Sequence, residues 1–483
     1  MDNRFLKTCI HILDDDSLLC IFYLCRPVLL DEDEVNDTKI LQGGDWGRER
    51  WWYKLVQVCR KWRYLIFASA SHLGLNLLCT HGTPVTDMLA HSPPLPLIID
   101  FVDGDRDITT EDKDGLIFAL QHCDRVRRIR VLMPISQLQK LSTAFDNEFP
   151  VLEYMYIEPT TKRSSGLLLH EAFRAPHLRH LILITIAFPI RSPLLTTVVG
   201  LITLSIQYIH PSTNCCLEDI LQQLTHLPQL ETLGISFCST FTDRDVETQV
   251  LHRPLITNVT LPSLRWLGFR GISTYLEAIL PRVTTPRLKK LQVVFFDQPN
   301  FSIPRLLEFM NAATNLKFCS TRFRFANNGV FVYMYPHEGA LMYTFYLGIY
   351  CIYIGGQVAS ATQIFHQLRT LFSPIEHLTL ELEFRRSSLF SEMDDEDHGI
   401  RWGDLFRQCS NVKTLRLGDE FVRPISRMLQ VDGGESAMEL LPELKVLEYP
   451  ASHSAENPFN GFIDTRKNAG HPVTVQWSTL DSA

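Results

Sequence analysis

Residues 262–269 read Pro-Ser-Leu-Arg-Trp-Leu-Gly-Phe, and this phrase decides the fold because it recurs along the chain. In general form it is Pro, any residue, Leu, two residues, an apolar residue, one residue, and a second apolar residue. The last two apolar positions are two residues apart, so they lie on one face of a β-strand. Five more copies begin at Pro150, Pro176, Pro228, Pro286 and Pro442.

Related copies without the proline extend the series. From residue 126 to residue 444 the mean spacing is about 29 residues, at the long end of leucine-rich repeats, whose unit is a strand plus a helix. The alternative is an unrelated α/β domain, but six prolines in the same phase argue against chance. The proline-free copies begin at Val126, Leu201, Ile375 and Val412, with weaker ones at Leu316 and Leu341.

Segments of helical period separate the strand phrases. In residues 217–227, Leu and Ile recur at i, i+3, i+4, i+7 and i+10, residues 364–372 behave alike, and Pro304 suits the first turn of another helix. Neither element buries its apolar face alone, so neighbouring units must stack. The sequence therefore predicts an α/β fold: a leucine-rich-repeat solenoid, or horseshoe, with a parallel inner sheet.

The first eighty residues have a different pattern. One helical stripe spans roughly residues 15–25, with the acidic triplet at residues 14–16 near its positive end. A second spans roughly residues 52–67. Between them, an acidic, glycine-containing insert at about residues 30–48 is typical of a surface loop. Two helices this short cannot form a stable core, so we expect them to pack on the repeats or on a partner.

This segment resembles an F-box. Two segments carry the resemblance. The first, from Leu13 to Phe22, has the pattern Leu-x-x-x-x-Leu-Leu-x-Ile-Phe, and the second is residues 55–63. The latter read Leu-Val-Gln-Val-Cys-Arg-Lys-Trp-Arg and contain the family's Val-Cys-Arg-x-Trp-Arg signature. Asp14 stands where the family usually has Pro.

The resemblance extends over most of the chain. Residues 75–97, 275–280 and 288–296 are similar to fungal F-box proteins with degenerate leucine-rich repeats. The resemblance implies a small helical F-box-like domain at residues 10–80, interrupted by the acidic insert. A leucine-rich-repeat domain for substrate recognition would follow at residues 81–483.

Such a protein would be the substrate receptor of an SCF-type (Skp-cullin-F-box) ubiquitin ligase, without catalytic residues of its own. The F-box would dock a Skp-family adaptor and through it a cullin, while the repeats would bind an unknown protein substrate. The alternative is a repeat scaffold that does not engage the ubiquitin machinery, its helical stripes serving only as core. The residues that match the docking motif are Leu13, Leu18, Ile21, Phe22, Leu55, Val58, Cys59 and Trp62.

The repeat phrase also predicts a substrate-binding surface. Residues that alternate with the buried leucines point to the other, predicted concave, face of the sheet. Four cations against one carboxylate there favour an acidic or phosphorylated peptide, although solvated charges on an ordinary sheet would give the same list. The residues are Tyr154, Tyr156, His180, Trp266, Arg270, Lys290, Gln292, Arg322, His377, Glu381 and Arg416.

Composition and motifs argue against other classes. A net charge of −8 argues against a nucleic-acid binder with a broad basic surface. The motifs G-x-S-x-G, H-E-x-x-H, Walker A and G-x-G-x-x-G do not occur. Residues 103–107 start like a calcium loop but lack its later Gly and Glu. No catalytic site, metal or cofactor is predicted.

The remaining signals concern the compartment. The twelve cysteines include no C-x-x-C pair, as expected of reduced thiols in the cytoplasm or nucleus. The start reaches acidic residues 14–16 before any long apolar run, so a secretory signal is not expected. Residues 340–365 are uncharged, but glycines and glutamines interrupt their second half. This stretch predicts a buried strand rather than a membrane span.

Overall fold

A computed structural model gives the fold of the chain. It is an α/β protein with helices and a mostly parallel sheet, as the repeat phrase predicts. Two compact units, residues 1–206 and 207–483, are described separately. The insert at residues 30–48 and the loop at 103–107 lie outside the described residues. The structure describes residues 13–27, 50–102, 108–160, 167–168, 173–187, 190, 192–209, 217–238, 255–298, 301–351, 354–383, 396–430, 439–450 and 457–478.

The first unit begins with helices and continues with alternating strands and helices. Its helices are α1 (Asp15–Leu24), α2 (Arg60–Ala68), α3 (Ala70–Leu73), α4 (Val85–His91), α5 (Thr110–Gln121), α6 (Ile135–Leu141) and α7 (Pro193–Thr197). Its strands are β1 (Leu77–Cys79), β2 (Leu97–Phe101), β3 (Val126–Met133), β4 (Tyr154–Pro159), β5 (Leu167–Leu168), β6 (His180–Ile184) and β7 (Ile186–Ala187). Strand β8 (Thr203–Ile209) contains the point of division.

Strands β1, β2, β3, β4 and β6 of the first unit pair in chain order, and every pair is parallel. Strands β5 and β7 form a separate parallel pair. Parallel pairing in chain order is expected when a crossover after each strand returns the chain to the end of the sheet where that strand began. The repeat phrase predicts this arrangement.

The second unit continues the alternation. Its helices are α8 (Leu217–Leu224), α9 (Ser273–Ile279), α10 (Pro304–Ala312), α11 (Ile354–Gln367), α12 (Arg369–Phe372), α13 (Glu396–Arg407), α14 (Asp419–Gln430) and α15 (Asn460–Asn468). Its strands are β9 (Thr232–Phe237), β10 (Val259–Thr260), β11 (Trp266–Gly271), β12 (Val283–Thr284), β13 (Lys290–Phe295), β14 (Ser320–Ala326), β15 (Gly329–Tyr335), β16 (Phe345–Tyr350), β17 (His377–Leu382), β18 (Thr414–Leu417), β19 (Val446–Pro450) and β20 (Thr474–Ser478).

One strand of the second unit breaks the parallel order. The main sheet runs β9-β11-β13-β16-β15-β14-β17-β18-β19-β20, and β15 is antiparallel to both of its neighbours. The expectation of a wholly parallel sheet is therefore wrong here. So is a repeat starting at Leu341, because this side chain is 96% exposed. The β14–β15 turn reverses the chain direction, and β16 then lies between β13 and β15 in the sheet instead of starting a new unit.

The repeat leucines occupy equivalent buried positions. In the second unit Leu230, Leu264, Leu288 and Leu444 each lie two residues before a strand and are at most 2% exposed. Each donates its backbone N–H to the carbonyl three residues earlier, at 3.0–3.3 Å. In the first unit Leu178 makes the same turn, to the Ala175 carbonyl at 3.1 Å. The phrase is thus confirmed as a turn into a strand.

The helical periods are confirmed at residues 217–224 and 304–312, and the period at 364–372 falls on the end of helix α11 and on helix α12. Apolar side chains of these helices, among them Leu221, Ile364 and Leu371, are buried. The first half of the uncharged stretch supplies strand β16, as its alternating aromatics predict, but its second half lies in helix α11, where the expectation of a strand is wrong. Among the described residues, no helix is both long enough and apolar enough to cross a bilayer.

Candidate functional site

Helix α1 packs one side of its apolar stripe inside the N-terminal segment. Asp14 caps the helix, because its Oδ1 accepts the Ser17 N–H at 2.7 Å, and this bond lowers the pKa of Asp14. Leu18 and Phe22 are fully buried. The Phe22 ring meets the Trp62 indole edge-on, with centroids 4.9 Å apart. The stripe therefore supplies the internal packing between α1 and α2.

The second helix begins at Arg60. The expectation of one helix over roughly residues 52–67 is therefore wrong for the residues before Arg60. Cys59 has extended backbone dihedrals, φ −159° and ψ 170°, and its Sγ accepts the Trp62 N–H at 3.5 Å. Such a residue ends any preceding helix and caps the next one. Before it, the chain makes two 3-10 turns at residues 51–53 and 55–57.

Other apolar side chains of this segment face solvent. Ile21 on α1 is 40% exposed and Val58 is 53% exposed. Leu24 and Tyr64, at 81% and 73%, lie near them in sequence. Five of the eleven large apolar side chains exposed in the described residues lie between positions 21 and 64, a concentration typical of interaction surfaces. Of the other predicted docking residues, Leu18 and Phe22 are buried, whereas Leu13, Leu55, Cys59 and Trp62 are half-buried.

In the first unit, three predicted substrate-binding residues lie on the same sheet face. Tyr154 pairs in register with His180, and their ring centroids are 5.9 Å apart. Tyr156 is buried, and its hydroxyl donates a hydrogen bond to Glu158. The Arg128 guanidinium lies 5.3 Å from the Tyr154 ring centroid, within cation–π range.

A buried ion pair lies beside these aromatic rings. The Arg130 guanidinium is 3.0 Å from an Asp100 carboxylate oxygen, with side chains 11% and 3% exposed. Asp100, Arg130 and Tyr156 occupy one register row across β2, β3 and β4. Burial raises the pKa of Asp100 to about 7, although Arg130 acts in the opposite direction. This face of the first unit therefore contains a carboxyl group that titrates near neutrality.

In the second unit, the predicted residues occupy alternate strand positions on one sheet face, here called the polar face. Neighbouring strands in register keep laterally paired residues on the same face. One register row crosses eight strands and contains Gly268, Gln292, Tyr346, Tyr333, Arg322, Thr379, Arg416 and Glu448. The predicted residues on the polar face, all half-buried, are Trp266, Arg270, Lys290, Gln292, Arg322, His377, Glu381 and Arg416.

An aromatic cluster occupies the middle of the polar face. The Tyr346 ring centroid lies 5.0 Å from that of Tyr333, 5.7 Å from that of Tyr343 and 6.1 Å from that of Phe331. Burial, followed by the neighbouring phenols, raises the pKa of Tyr346 above its ordinary value. The cluster thus offers neutral hydroxyl groups and ring faces to a ligand.

Two cations border the aromatic cluster on the β11–β13 side. The Arg270 guanidinium carbon lies 4.9 Å from the Tyr208 ring centroid and 4.8 Å from that of Tyr350, and its NH1 donates to the Tyr208 hydroxyl at 3.0 Å. The Lys290 Nζ lies 4.3 Å from the Tyr343 ring centroid. Aromatic faces hold a cation without neutralising its charge.

The cations toward the C-terminus have carboxylates beside them. Arg322 and Arg324 lie 3.3 Å and 3.6 Å from the Glu381 carboxylate, and Arg416 lies 2.5 Å from that of Glu448. The predicted ratio of four cations to one carboxylate therefore omits the Arg324 guanidinium and the Glu448 carboxylate. Glu381 and Glu448 therefore offset part of the positive charge of the polar face near β17 and β18.

Sequence reasoning missed Arg324, Tyr333, Tyr346 and Glu448. The repeat phrase assigns faces only where a repeat leucine sets the phase, and the strands of Tyr333 and Tyr346, β15 and β16, have none. Arg324 and Glu448 lie on strands that do have one, β14 and β19, so the phrase could have included them. Alternation within residues 329–350 could have placed the tyrosines on one face, because apolar and polar residues alternate there.

No protein-family model matches the chain, and no curated protein matches it significantly. Among solved structures, the crystal structure of a Bacteroides fragilis protein, a structural genomics target, is similar to 77% of this chain and 72% of its own. The two sequences are 10% identical and the TM-score is 0.15. Likeness at this level carries no argument about function.

Proposed function

We propose that the chain is a substrate receptor of an SCF-type ubiquitin ligase. Residues 10–80 dock a Skp-family adaptor and through it a cullin, inside the cell. The later strand–helix units are leucine-rich repeats of a solenoid whose polar sheet face binds a protein substrate. The receptor performs no chemistry itself, and ubiquitin transfer belongs to the rest of the ligase.

The observation that carries the adaptor proposal is the exposure of Ile21, Leu24, Val58 and Tyr64 in the segment that resembles an F-box. An apolar side chain that packs against its own chain needs no partner, as with Phe22. Exposed side chains of this size gain from burial, at roughly 25 cal/mol per Å² of apolar surface. A short helical segment with apolar groups on its outer side therefore suits a protein partner.

The polar face supports substrate binding. Interface anchors are most often Tyr, Trp and Arg, and this face presents Trp266 and Arg270 on β11 and Tyr346 on β16. Rigid aromatic rings lose little entropy on binding, and the arginines supply bidentate donors for carboxylate or phosphate groups. An acidic or phosphorylated peptide segment is the class of target that these groups fit.

Co-purification tests the adaptor proposal. The full chain is co-expressed with a Skp-family adaptor, and the stoichiometry of the purified material is measured. We expect a one-to-one complex with the wild type and at least a tenfold loss with Ile21→Asp combined with Val58→Asp. A matched control places Asp at two exposed apolar positions outside the segment, Val199→Asp with Leu341→Asp, and should bind normally.

Two results would contradict the proposal. A wild-type chain that is folded but never retains adaptor would favour the repeat scaffold without ubiquitin partners. Equal retention by the Ile21 and Val58 variant and by the control would place adaptor binding elsewhere. Circular dichroism on every variant ensures that lost binding is not lost folding.

A further inference from the structure

A ladder of backbone hydrogen bonds at the start of the strands places a cysteine next to a glutamate. In the second unit, the residue before each of several strands donates its N–H to the equivalent carbonyl of the neighbouring strand. Lys413 donates to Glu376, and Glu376 donates to Cys319, both at 2.8 Å. The side chains along this edge are mostly charged, as at Glu231 and Arg265, which form an ion pair at 3.5 Å. Cys319 brings a thiol to the same position.

Three potential metal ligands meet at this point, and a fourth, the exposed Glu338 carboxylate, lies beside one of them. The Cys319 Sγ, a carboxylate oxygen of Glu376 and an imidazole nitrogen of His377 all lie within 4.8 Å of one another, and all three residues are half-buried. Glu338, after β15, brings an Oε2 atom to 3.4 Å from the His377 Nδ1. Among the described residues this is the one group of three or more such side chains with this geometry. Cys319 and Glu376 directly precede strands β14 and β17, whose first residues, Ser320 and His377, pair in register.

We propose that Cys319, Glu376, His377 and Glu338 form a binding site for Zn²⁺ or a similar borderline-soft divalent ion. One thiolate, one imidazole and two carboxylates match the ligand types that zinc takes in tetrahedral sites. With bonds of about 2.0–2.3 Å, tetrahedral ligand atoms lie roughly 3.3–3.7 Å apart. The ligand atoms of Cys319, Glu376 and His377 must therefore move closer by about 1 Å, through side-chain rotation, to bind one ion.

The neighbouring charges are compatible with this site. Lys413 Nζ lies 2.6 Å from Oε1 of Glu376, and a carboxylate has a second oxygen that can bind the ion while this contact persists. Binding replaces the proton of the Cys319 thiol by the metal, so one proton is released from the thiol. The ion would connect the segment after β15 to the starts of β14 and β17, and so fix the antiparallel strand in the sheet.

Cobalt binding tests the proposal independently of any ubiquitin function. The full chain is stripped with a chelator and titrated with Co²⁺, which gives thiolate charge-transfer absorption when cysteine is a ligand. We expect one Co²⁺ per chain with this absorption, displaced by Zn²⁺. Cys319→Ser should abolish the thiolate band, and His377→Gln should weaken affinity at least tenfold.

The control is Cys123→Ser, which removes another half-buried thiol of the chain and should leave the titration unchanged. A wild-type protein that gives no thiolate band, or a band that persists in Cys319→Ser, would overturn the site. Unchanged affinity in His377→Gln would remove the imidazole from the ligand set and also contradict the proposal. Circular dichroism of both variants checks that each remains folded.

Discussion

The Phe22 ring packs edge-on against the Trp62 indole at a centroid distance of 4.9 Å, which joins helix α1 to helix α2. Phe22 is fully buried, whereas Ile21, its neighbour in sequence, is 40% exposed. On a helix, adjacent residues point about 100° apart, so one side can pack internally while the other remains accessible. Internal packing and proposed docking thus belong to different residues of one stripe.

Phe22→Ala should destabilise the N-terminal segment by about 3 kcal/mol, because it removes a fully buried ring and leaves a cavity. Ile21→Ala should change stability by less than about 0.5 kcal/mol, as for an exposed position. Hydrogen–deuterium exchange of peptides covering residues 15–24 and 60–68 measures both effects locally. Comparable protection in the two variants would contradict the assignment of Phe22 to the interior.

The sequence predicts helix α1 closely, since the acidic first turn and the apolar period both mark it. It does not predict the break at Cys59, because cysteine is not among the usual helix-capping residues. It also cannot divide a stripe into buried and exposed parts. A periodic pattern identifies which residues share a face but not which neighbour covers that face.

The buried pair of Asp100 and Arg130 should make the first unit sensitive to pH. The pKa of Asp100 is raised in the folded state, to about 7 from an ordinary 3.8, chiefly by burial. A raised pKa means that the folded protein binds the proton more tightly, so the resulting stabilisation is full below the unfolded pKa. It is lost as the pH rises through the folded pKa.

Asp100→Asn removes this titration. Between about pH 4 and pH 7, the free energy of unfolding of the wild type should fall relative to Asp100→Asn by up to about 1.4 kcal/mol per pH unit, the limit for one proton. Urea unfolding of both proteins across this range provides the measurement. A difference that is constant with pH, or that grows in favour of the wild type, would show that Arg130 keeps the carboxylate ionised.

The repeat phrase predicts most of the sheet, because each repeat leucine fixes a turn, the start of a strand and the phase of its faces. It fails at β15, where no such leucine exists. Asn327, Asn328 and Gly329 form a turn signal between two apolar runs, which favours a hairpin. Most of the polar face follows from the phase of the repeat leucines, whereas its tyrosine cluster depends on the hairpin.

Gly329→Ala should destabilise the second unit by about 1–3 kcal/mol. A Cβ at this position would lie 2.2 Å from the Ile349 carbonyl oxygen on the antiparallel neighbour, so the β15–β16 pairing must shift. Gly461→Ala is the matched control, because nothing lies within 4 Å of its Cβ position in helix α15. The control should be neutral or stabilising by up to about 1 kcal/mol.

Thermal unfolding of the two glycine variants beside the wild type distinguishes these effects. A stable Gly329→Ala protein would mean that the sheet accommodates a side chain there without loss. In that case the antiparallel strand would be packed less tightly against β16 than the Gly329–Tyr350 register implies.

The last prediction concerns charge on the polar face. Arg270 is held by the Tyr208 and Tyr350 rings, and Lys290 by the Tyr343 ring, whereas Arg416 lies 2.5 Å from the Glu448 carboxylate. A cation beside a carboxylate attracts an anionic ligand less than one supported by aromatic rings.

Arg270→Gln with Lys290→Gln should therefore reduce capture of substrate proteins from cell extract at least tenfold. Arg322→Gln with Arg416→Gln, the matched pair, should reduce it less, because Glu381 and Glu448 already offset these two positive charges in the wild type. Neutral replacements avoid placing a new carboxylate against Glu381. Quantitative mass spectrometry of captured proteins at two ionic strengths provides the measurement. The difference should be larger at low salt, where exposed charges are less screened. Equal capture by both double variants and the wild type would mean that the substrate binds outside the polar face.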